Sequence, residues 1–460
     1  MIRTALAVSA GKLARAVLNR AGRGATALPG LVALAVDPRA LASLTASFEH
    51  GTVCVSGTNG KTTTSRMLSD VVRAAGWSPV HNRSGSNLDR GIVAALLASS
   101  SWTGAPRGNV GILEVDEATL PRVLAGMAPR VVVVTNLFRD QLDRYFEIDA
   151  LARRIAAAIV MLPESTTLVL NADDPIVTNL AQGHRGPVSY FGVDDPRAGG
   201  TVAQSISDAT RCPRCRAPLQ YRRVVLAHVG DWSCPACGFH RPERDLAAAS
   251  VDMSAGATTI RIAGASAVLD SVTVPLPGLY NAYNALAALA AARVLGIGLP
   301  TGTRALASFR PAFGRLEIVE ADGRTLRLML VKNPAGFNAA IGALLETGRK
   351  PRLIAALNDR DADSRDVSWI WDADFESLAA HVEHAVVTGL RSRDLALRFK
   401  YAGVDASRLE VVDGWKEALL RAIAGAGPAD EIVVVATYTA MLALRGSLAD
   451  MGYVGRFWED

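Results

Sequence analysis

The chain is poor in lysine, cysteine, aromatic residues and long apolar runs, and each shortage excludes something. Lysine occurs only at Lys12, Lys61, Lys332, Lys350, Lys400 and Lys416, so the net charge of +5 rests almost wholly on arginine. Such a mild excess implies no nucleic-acid partner. There are five cysteines, four of them in two C-x-x-C pairs. That pattern excludes a disulfide framework and points to a metal site in a reducing compartment, the cytoplasm. Half the residues are hydrophobic, many of them alanine, yet no window reaches the roughly 18 uninterrupted apolar residues that span a bilayer. The first residues are not a secretion signal either, because Lys12, Arg15, Arg20 and Arg23 interrupt them before an apolar core forms. Residues 1–45 read as a basic amphipathic leader helix packed on its own domain, with at most peripheral contact at the inner face of the membrane. With 460 residues there is room for two or three domains.

What is present is organised around residues 51–64, where a β-branched run, Thr52 to Val55, breaks into a glycine turn and then into Lys61-Thr62 opening an amphipathic segment. Strand, loop and helix in that order make a phosphate cradle. The N–H groups of Gly57, Thr58, Asn59 and Gly60 can face phosphate oxygens, Lys61 adds positive charge, and Thr62 is placed to ligate Mg²⁺, with Thr63 beside it. The expected ligand is ATP with Mg²⁺. Further runs at Val110–Val115, Val131–Thr135 and Thr167–Leu170 alternate with helical stretches, which predicts an α/β domain with a parallel sheet buried on both faces. Two of these strand ends carry acids, Glu114, Asp116 and Glu117 after one and Asp140 and Asp143 after the other. In a parallel sheet the ligand crevice lies beyond the carboxyl ends of the strands, so these acids can hold Mg²⁺.

Cys212-Pro-Arg-Cys215, then eighteen residues, then Cys234-Pro-Ala-Cys237 interrupt the pattern. The spacing predicts an inserted Cys₄ zinc ribbon over 205–245, with all four thiolates closing a structural tetrahedron. Cys54 reads as a small core residue. Past the ribbon, Tyr280-Asn281-Ala-Tyr283-Asn284 opens a long Ala/Leu helix. A boundary is expected near residue 316, dividing a central ATP-binding domain (46–316) from a smaller α/β domain (317–460).

These residues resemble the Mur ligases, ATP-dependent amide-forming enzymes that include folylpolyglutamate synthase. Gly57-Thr-Asn-Gly-Lys-Thr-Thr is similar to their phosphate loop. Glu117 sits where they place a Mg²⁺-binding glutamate, Thr135-Asn136 through Asp143-Arg144 is similar to their T-N-x-x-x-D-H-L-D-R segment, and Asn281 and Asn284 match their adenine-side H-N-x-x-N. The resemblance implies a central P-loop ATPase domain and a Rossmann-like C-terminal domain. It also implies acyl-phosphate chemistry, with Lys61 and Glu117 catalytic and Asn281 and Arg315 on the nucleotide.

Four departures stand out: Gln141 for a Mg²⁺-ligating His, no lysine near 156, Tyr280 for a His, and Leu330-Val-Lys332-Asn333-Pro334 in place of D-Y-A-H-N-P. Together they resemble the amidating branch of the family, whose substrate is lipid II. Membership there implies amidation of a D-glutamate α-carboxyl with ammonia, supplied by a GatD-type glutamine amidotransferase in a heterodimer. An aspartate of the ligase subunit is then expected to complete the partner's Cys-His pair. Asp372, beside Trp369 and Trp371, is the leading candidate, ahead of Asp359, Asp361 and Asp366. Two rival classes are a free-standing amino-acid ligase of the Mur or folylpolyglutamate type and a non-catalytic ATP-binding module.

Overall fold

The structure is a computed structural model and describes residues 2–20, 27–82, 87–138, 148–200, 209–254, 256–264, 268–310, 315–345, 350–363, 365–427 and 430–455. The side chains of Ile2, Val268, Arg315, Leu316, Ala339 and Ala343 lie outside that description. Gln141, Asp140, Asp143, Arg144 and Arg23 also fall outside it, as does the part of the expected ribbon between 205 and 208.

Three helices come first, α1 (Ile2–Arg20), α2 (Leu28–Val36) and α3 (Ala40–Thr45), where one leader helix was expected. Pro29 in the first turn of α2 explains the restart, since proline favours a helix start and cannot continue one. The α/β alternation then runs β1 (Thr52–Ser56), α4 (Lys61–Ala74), β2 (Pro79–His81), α5 (Asp89–Ala98), β3 (Val110–Glu114), α6 (Leu120–Gly126) and β4 (Val131–Val134). It continues through α7 (Ile148–Val160), β5 (Thr167–Asn171), α8 (Pro175–Asn179) and β6 (Val188–Val193). A hairpin of β7 (Gln220–Leu226) and β8 (Val229–Ser233) precedes β9 (Leu246–Met253), β10 (Thr258–Ala263) and β11 (Val268–Val274).

These strands form a nine-stranded sheet, ordered β11-β10-β9-β6-β5-β4-β1-β3-β2, with β7 and β8 paired separately. From β2 to β9 every pairing is parallel, whereas β9, β10 and β11 are antiparallel. The expectation of a parallel sheet therefore holds for the part that carries the phosphate loop and is corrected beyond it. β1, β3 and β4 are buried at every residue, which is why they read as unbroken apolar runs. By contrast β10 alternates buried and more exposed positions, as a one-sided antiparallel strand does.

The sheet is covered on one side by α9 (Leu279–Val294), a helix buried on nearly all sides between the sheet, α4 and α10 (Leu299–Ala307). A glycine permits the close approach of α10: a Cβ on Gly302 would sit 2.4 Å from Leu289 of α9. A second sheet follows, built from β12 (Arg315–Ala321), β13 (Arg324–Leu330), β14 (Arg352–Ala356), β15 (His384–Thr388), β16 (Leu409–Val411) and β17 (Glu431–Ala436). Its helices are α11 (Pro334–Leu345), α12 (Phe375–Ala379), α13 (Ser392–Tyr401), α14 (Trp415–Gly425) and α15 (Tyr438–Asp450). The order β12-β13-β17-β14-β15-β16 is parallel except at the edge strand β12, which pairs antiparallel with β13. One apolar cluster joins the two sheets, from Val53 and Met67 through α9 to Met329 and Phe337.

Candidate active site and metal centre

The turn between β1 and α4 is shaped by two glycines at positive φ, Gly57 at 129° and Gly60 at 86°. Neither tolerates a side chain. A Cβ at Gly57 would lie 2.3 Å from Thr135 Oγ1, and one at Gly60 would lie 2.1 Å from Asn284 Oδ1. The stretch after β4 braces the loop from outside. Asn59 N donates to Asn136 Oδ1 at 2.8 Å, Asn136 Nδ2 and Thr135 Oγ1 both donate to Asn59 O, and Thr58 N donates to Asn136 O. Thr58 Oγ1 donates to Phe138 O at 3.1 Å and accepts from Phe138 N at 2.9 Å. The loop is thus braced by Thr135, Asn136 and Phe138, and the N–H groups of Thr58 and Asn59, expected to face phosphate oxygens, are instead taken up by Asn136, which leaves the N-terminus of α4 to meet a ligand.

Lys61 opens α4 and folds back over this turn. Its Nζ donates to the carbonyls of Gly57 and Thr58 and pairs with Glu117 Oε2 at 2.8 Å, both side chains being almost wholly buried. Glu117 reaches this point from just beyond β3. Of its acidic neighbours, Glu114 lies on β3 itself, where its backbone is clamped by Asn82 at 2.8 Å in both directions. Asp116 accepts from the N–H of Ala118, so Glu117 is the acid that meets the lysine. Thr62 and Thr63 follow on α4, half-buried and buried respectively. Thr62 and Glu117 offer oxygens suited to Mg²⁺, and Lys61 with the N-terminus of α4 offers the positive surround of a polyphosphate.

Asn281 and Asn284 sit on the first turns of α9, both buried. Asn281 Nδ2 donates to Pro277 O at 2.8 Å, and its Oδ1 accepts from Asn284 Nδ2 at 3.1 Å. Asn284 in turn faces Gly60 and accepts from Thr64 Oγ1 at 3.4 Å. Arg315 begins β12. From the second sheet Asn333 reaches across, donating from Nδ2 to Asn59 Oδ1 at 3.2 Å, while its Oδ1 caps Gly336 N. The departure segment noted in the sequence is therefore in direct contact with the phosphate loop.

The four ribbon cysteines come together. All four Sγ atoms lie within 4.8 Å of one another, with Cys212 and Cys237 3.6 Å apart and Cys215 and Cys234 3.5 Å apart. Sulfurs bound about 2.3 Å from one tetrahedral zinc stand roughly 3.8 Å apart, so the set fits that ion; a disulfide would need about 2.05 Å. Each knuckle turns through a left-handed residue, Arg216 (φ 66°) after the first pair and Gly238 (φ 73°) after the second. Cys54 is buried in β1, and burial pushes its thiol up to about 12, which removes it as a nucleophile.

Several residues of this region gave no signal in the sequence. His228, at the tip of the β7–β8 hairpin, is fully buried, tilted against Phe138 at 4.7 Å and 3.4 Å from Asp174 Oδ2. Asp174 caps α8 and also accepts from Leu137 N at 2.9 Å. Trp232 Nε1 donates to Ala172 O at 3.1 Å. Through these contacts the ribbon leans on the segment that braces Thr58. Beside it, Asp173 is fully buried, accepts from Tyr283 Oη at 2.7 Å and pairs with Arg241.

The Trp369-Ile370-Trp371 stretch is divided by a 3₁₀ turn over Ser368–Trp371. Trp369 and Ile370 are core, Trp369 lying 6.4 Å from Phe337. Trp371 is 49% exposed and packs edge-on against the exposed Tyr401. Asp372 follows it on the surface, and its carboxylate has no partner among the described residues. The alternatives are engaged: Asp359 pairs with Arg391 at 3.1 Å, Asp361 with Arg365 at 2.7 Å, and Asp366 caps Ser368 N.

Comparison with known proteins agrees with this geometry. The Mur ligase middle domain matches residues 55–212, and the MurT ligase C-terminal domain matches residues 330–441. The MurT subunit of the glutamine-hydrolysing lipid II isoglutaminyl synthase of Streptococcus pneumoniae is 35% identical over 97% of this chain and 97% of its own length. Its counterpart from Staphylococcus aureus is 36% identical over 87% of this chain and 88% of its own length. Among solved structures, the MurF ligase of Thermotoga maritima in complex with ADP superposes with a TM-score of 0.65 at 14% identity, over 91% of this chain and 84% of that one. Likeness of that extent to the two subunits, together with both domain matches, means that the chain belongs to the MurT family of Mur ligases.

Proposed function

We propose that this chain is the synthetase subunit that amidates the α-carboxyl of D-glutamate in the lipid II stem peptide to D-isoglutamine, using ATP and ammonia. The observation that carries the reading is the convergence of Lys61, Glu117 and Asn333 on one phosphate loop. The carboxylate oxygen attacks the γ-phosphorus of ATP, ADP leaves, and an acyl phosphate forms. Ammonia then attacks the acyl carbon and phosphate departs with the C–O bond electrons. The N-terminus of α4 and Lys61 neutralise charge on the transferring phosphoryl group, and Thr62 and Glu117 would hold a Mg²⁺ that supplies further positive charge there, which is positioning and electrostatics more than covalent work. Thr58, Asn59, Thr63, Asn281 and Arg315 complete the nucleotide site in this reading.

Lys332-Asn333 stands where amino-acid-adding Mur ligases are expected to carry an acid, and ammonia has no carboxylate or side chain to be held. The ammonia comes from a GatD-type amidotransferase, because Cys54 is buried and the other cysteines form the metal set. Asp372, exposed and unpaired beside Trp371 and Tyr401, fits an anchor surface for that partner and a third member of its Cys-His site. The four cysteines hold a structural Zn²⁺, and the enzyme works in the cytoplasm at the inner membrane face, where a lipid-linked substrate is displayed.

The test is ATP turnover by the chain with its amidotransferase. Turnover requiring both lipid II and glutamine or ammonium, and lost in Lys61→Ala, supports the reading. Turnover with an amino acid but not with ammonium would move it to the free-standing ligase class, and activity surviving Lys61→Ala would sink the nucleotide site.

A further inference from the structure

The outward faces of α1 and α2 take no part in the chemistry above. Leu6, Leu13 and Val17 are 59%, 60% and 64% exposed. At 100° per residue they fall within an arc of about 40° and extend along about 16 Å of helix axis. Leu28 and Leu31 of α2 and Trp102 after α5 are also exposed. None of these residues is needed to hold the hairpin in place. That is done by the opposite faces, where Ala7 and Val8 are buried and a Cβ on Gly11 would collide with Leu97 and Pro29.

Residues 1–36 contain no Asp or Glu, and of the cations on α1 the exposed Arg3 and Arg20 flank the apolar stripe within about 60° of it, whereas Lys12 and Arg15 point to the side and back of the helix. The first acid, Asp37, is buried and taken up by Thr4 Oγ1 and Arg39 N. The Lys12 ammonium lies 5.4 Å over the Trp102 ring. Burial and the nearby cations Arg107 and Arg15 lower its pKa.

We infer that this face is a docking surface for an anionic lipid bilayer, with α1 lying in the plane of the headgroups. Leu6, Leu13 and Val17 enter the acyl boundary, and Arg3 and Arg20 at the flanks of the stripe meet lipid phosphates. An exposed aliphatic stripe flanked by arginines, on a stretch of chain without an acid, suits a fluid anionic surface. The inference stands on this surface and not on the amidation reading.

Co-sedimentation of the full-length chain with phosphatidylglycerol-rich vesicles and with phosphatidylcholine vesicles tests it. Wild-type protein is expected on the anionic vesicles, with binding falling as salt rises. Leu13→Glu/Val17→Glu and Arg3→Glu/Arg20→Glu should each weaken binding by about tenfold or more. All four positions lie outside the nucleotide and metal sites, so circular dichroism and thermal midpoint should stay at wild-type values in both variants. No preference for anionic vesicles, or equal binding by the folded variants, overturns the inference. So does recovery of the wild-type chain only in a complex with an acidic protein and never on vesicles.

Discussion

Lys61 Nζ lies 2.8 Å from Glu117 Oε2, with both side chains almost wholly buried beneath the phosphate loop. In the proposed reaction the glutamate holds Mg²⁺ and the lysine a phosphate, so each must let go of the other when Mg·ATP arrives. The pair keeps two buried charges satisfied until then. Glu117→Ala strands the ammonium with only the Gly57 and Thr58 carbonyls. Chemical denaturation without nucleotide should show a loss near the lower end of about 3–5 kcal/mol, and ATP turnover should vanish. Unchanged stability would mean that the ion pair is not what holds Lys61.

Gly60→Ala tests the loop geometry. At φ 86° and with Asn284 Oδ1 2.1 Å from the new methyl, the backbone strain alone is about 1–3 kcal/mol. Displacing the loop by even 1 Å costs on the order of 10²-fold in rate. Steady-state kinetics should show that loss while the fold persists by circular dichroism.

Asp372→Asn separates the two half-reactions. Glutamine-driven amidation should disappear while ammonium-driven turnover stays near the wild-type rate, because the residue is exposed on the second sheet's surface and makes no contact with the phosphate loop among the described residues. Equal loss with both nitrogen sources would place Asp372 in the synthetase site instead.

Metal removal should be felt at the nucleotide. The ribbon reaches Thr58 through His228, Phe138 and Leu137, and Asp174 joins two of these. Chelation is expected to lower the thermal midpoint and raise the ADP dissociation constant. It should also open the solvent-facing Cys215 and Cys237 to alkylation at alkaline pH. Cys54, its thiol pushed up to about 12, should stay unlabelled until unfolding. Full nucleotide affinity in the metal-free folded chain would show that the ribbon does not support the loop.

His228→Ala probes the same connection without touching the metal. Loss of the buried ring leaves a cavity behind Phe138, costing about 2–4 kcal/mol by analogy with other large-to-small core changes, with a rise in KM for ATP larger than the change in kcat. A fall in stability with KM unchanged would confine His228 to packing.

Local chemistry made much of this protein legible in advance. The phosphate loop could be read because glycine, lysine and hydroxyl positions there are dictated by backbone conformation and charge over a few consecutive residues. The C-x-x-C pairs could be read as one cluster because two short turns bring four thiols together. The β-branched runs of β1, β3, β4 and β5 announced buried parallel strands. β9 to β11 were harder, since short alternating strands at a sheet edge have weak periodicity and their antiparallel pairing is settled by neighbours.

Sequence by itself determined the glycine-lysine turn between β1 and α4, the cysteine set and the family, each a matter of residue type at short spacing. Tertiary structure alone decided how these parts serve one another. Nothing local says that Glu117 meets Lys61, that Asn333 reaches Asn59 from another sheet, that His228 is buried behind the loop's brace, or that Trp369 faces the core while Trp371 faces out. Those relationships depend on which surfaces pack together, and packing is a property of the whole chain.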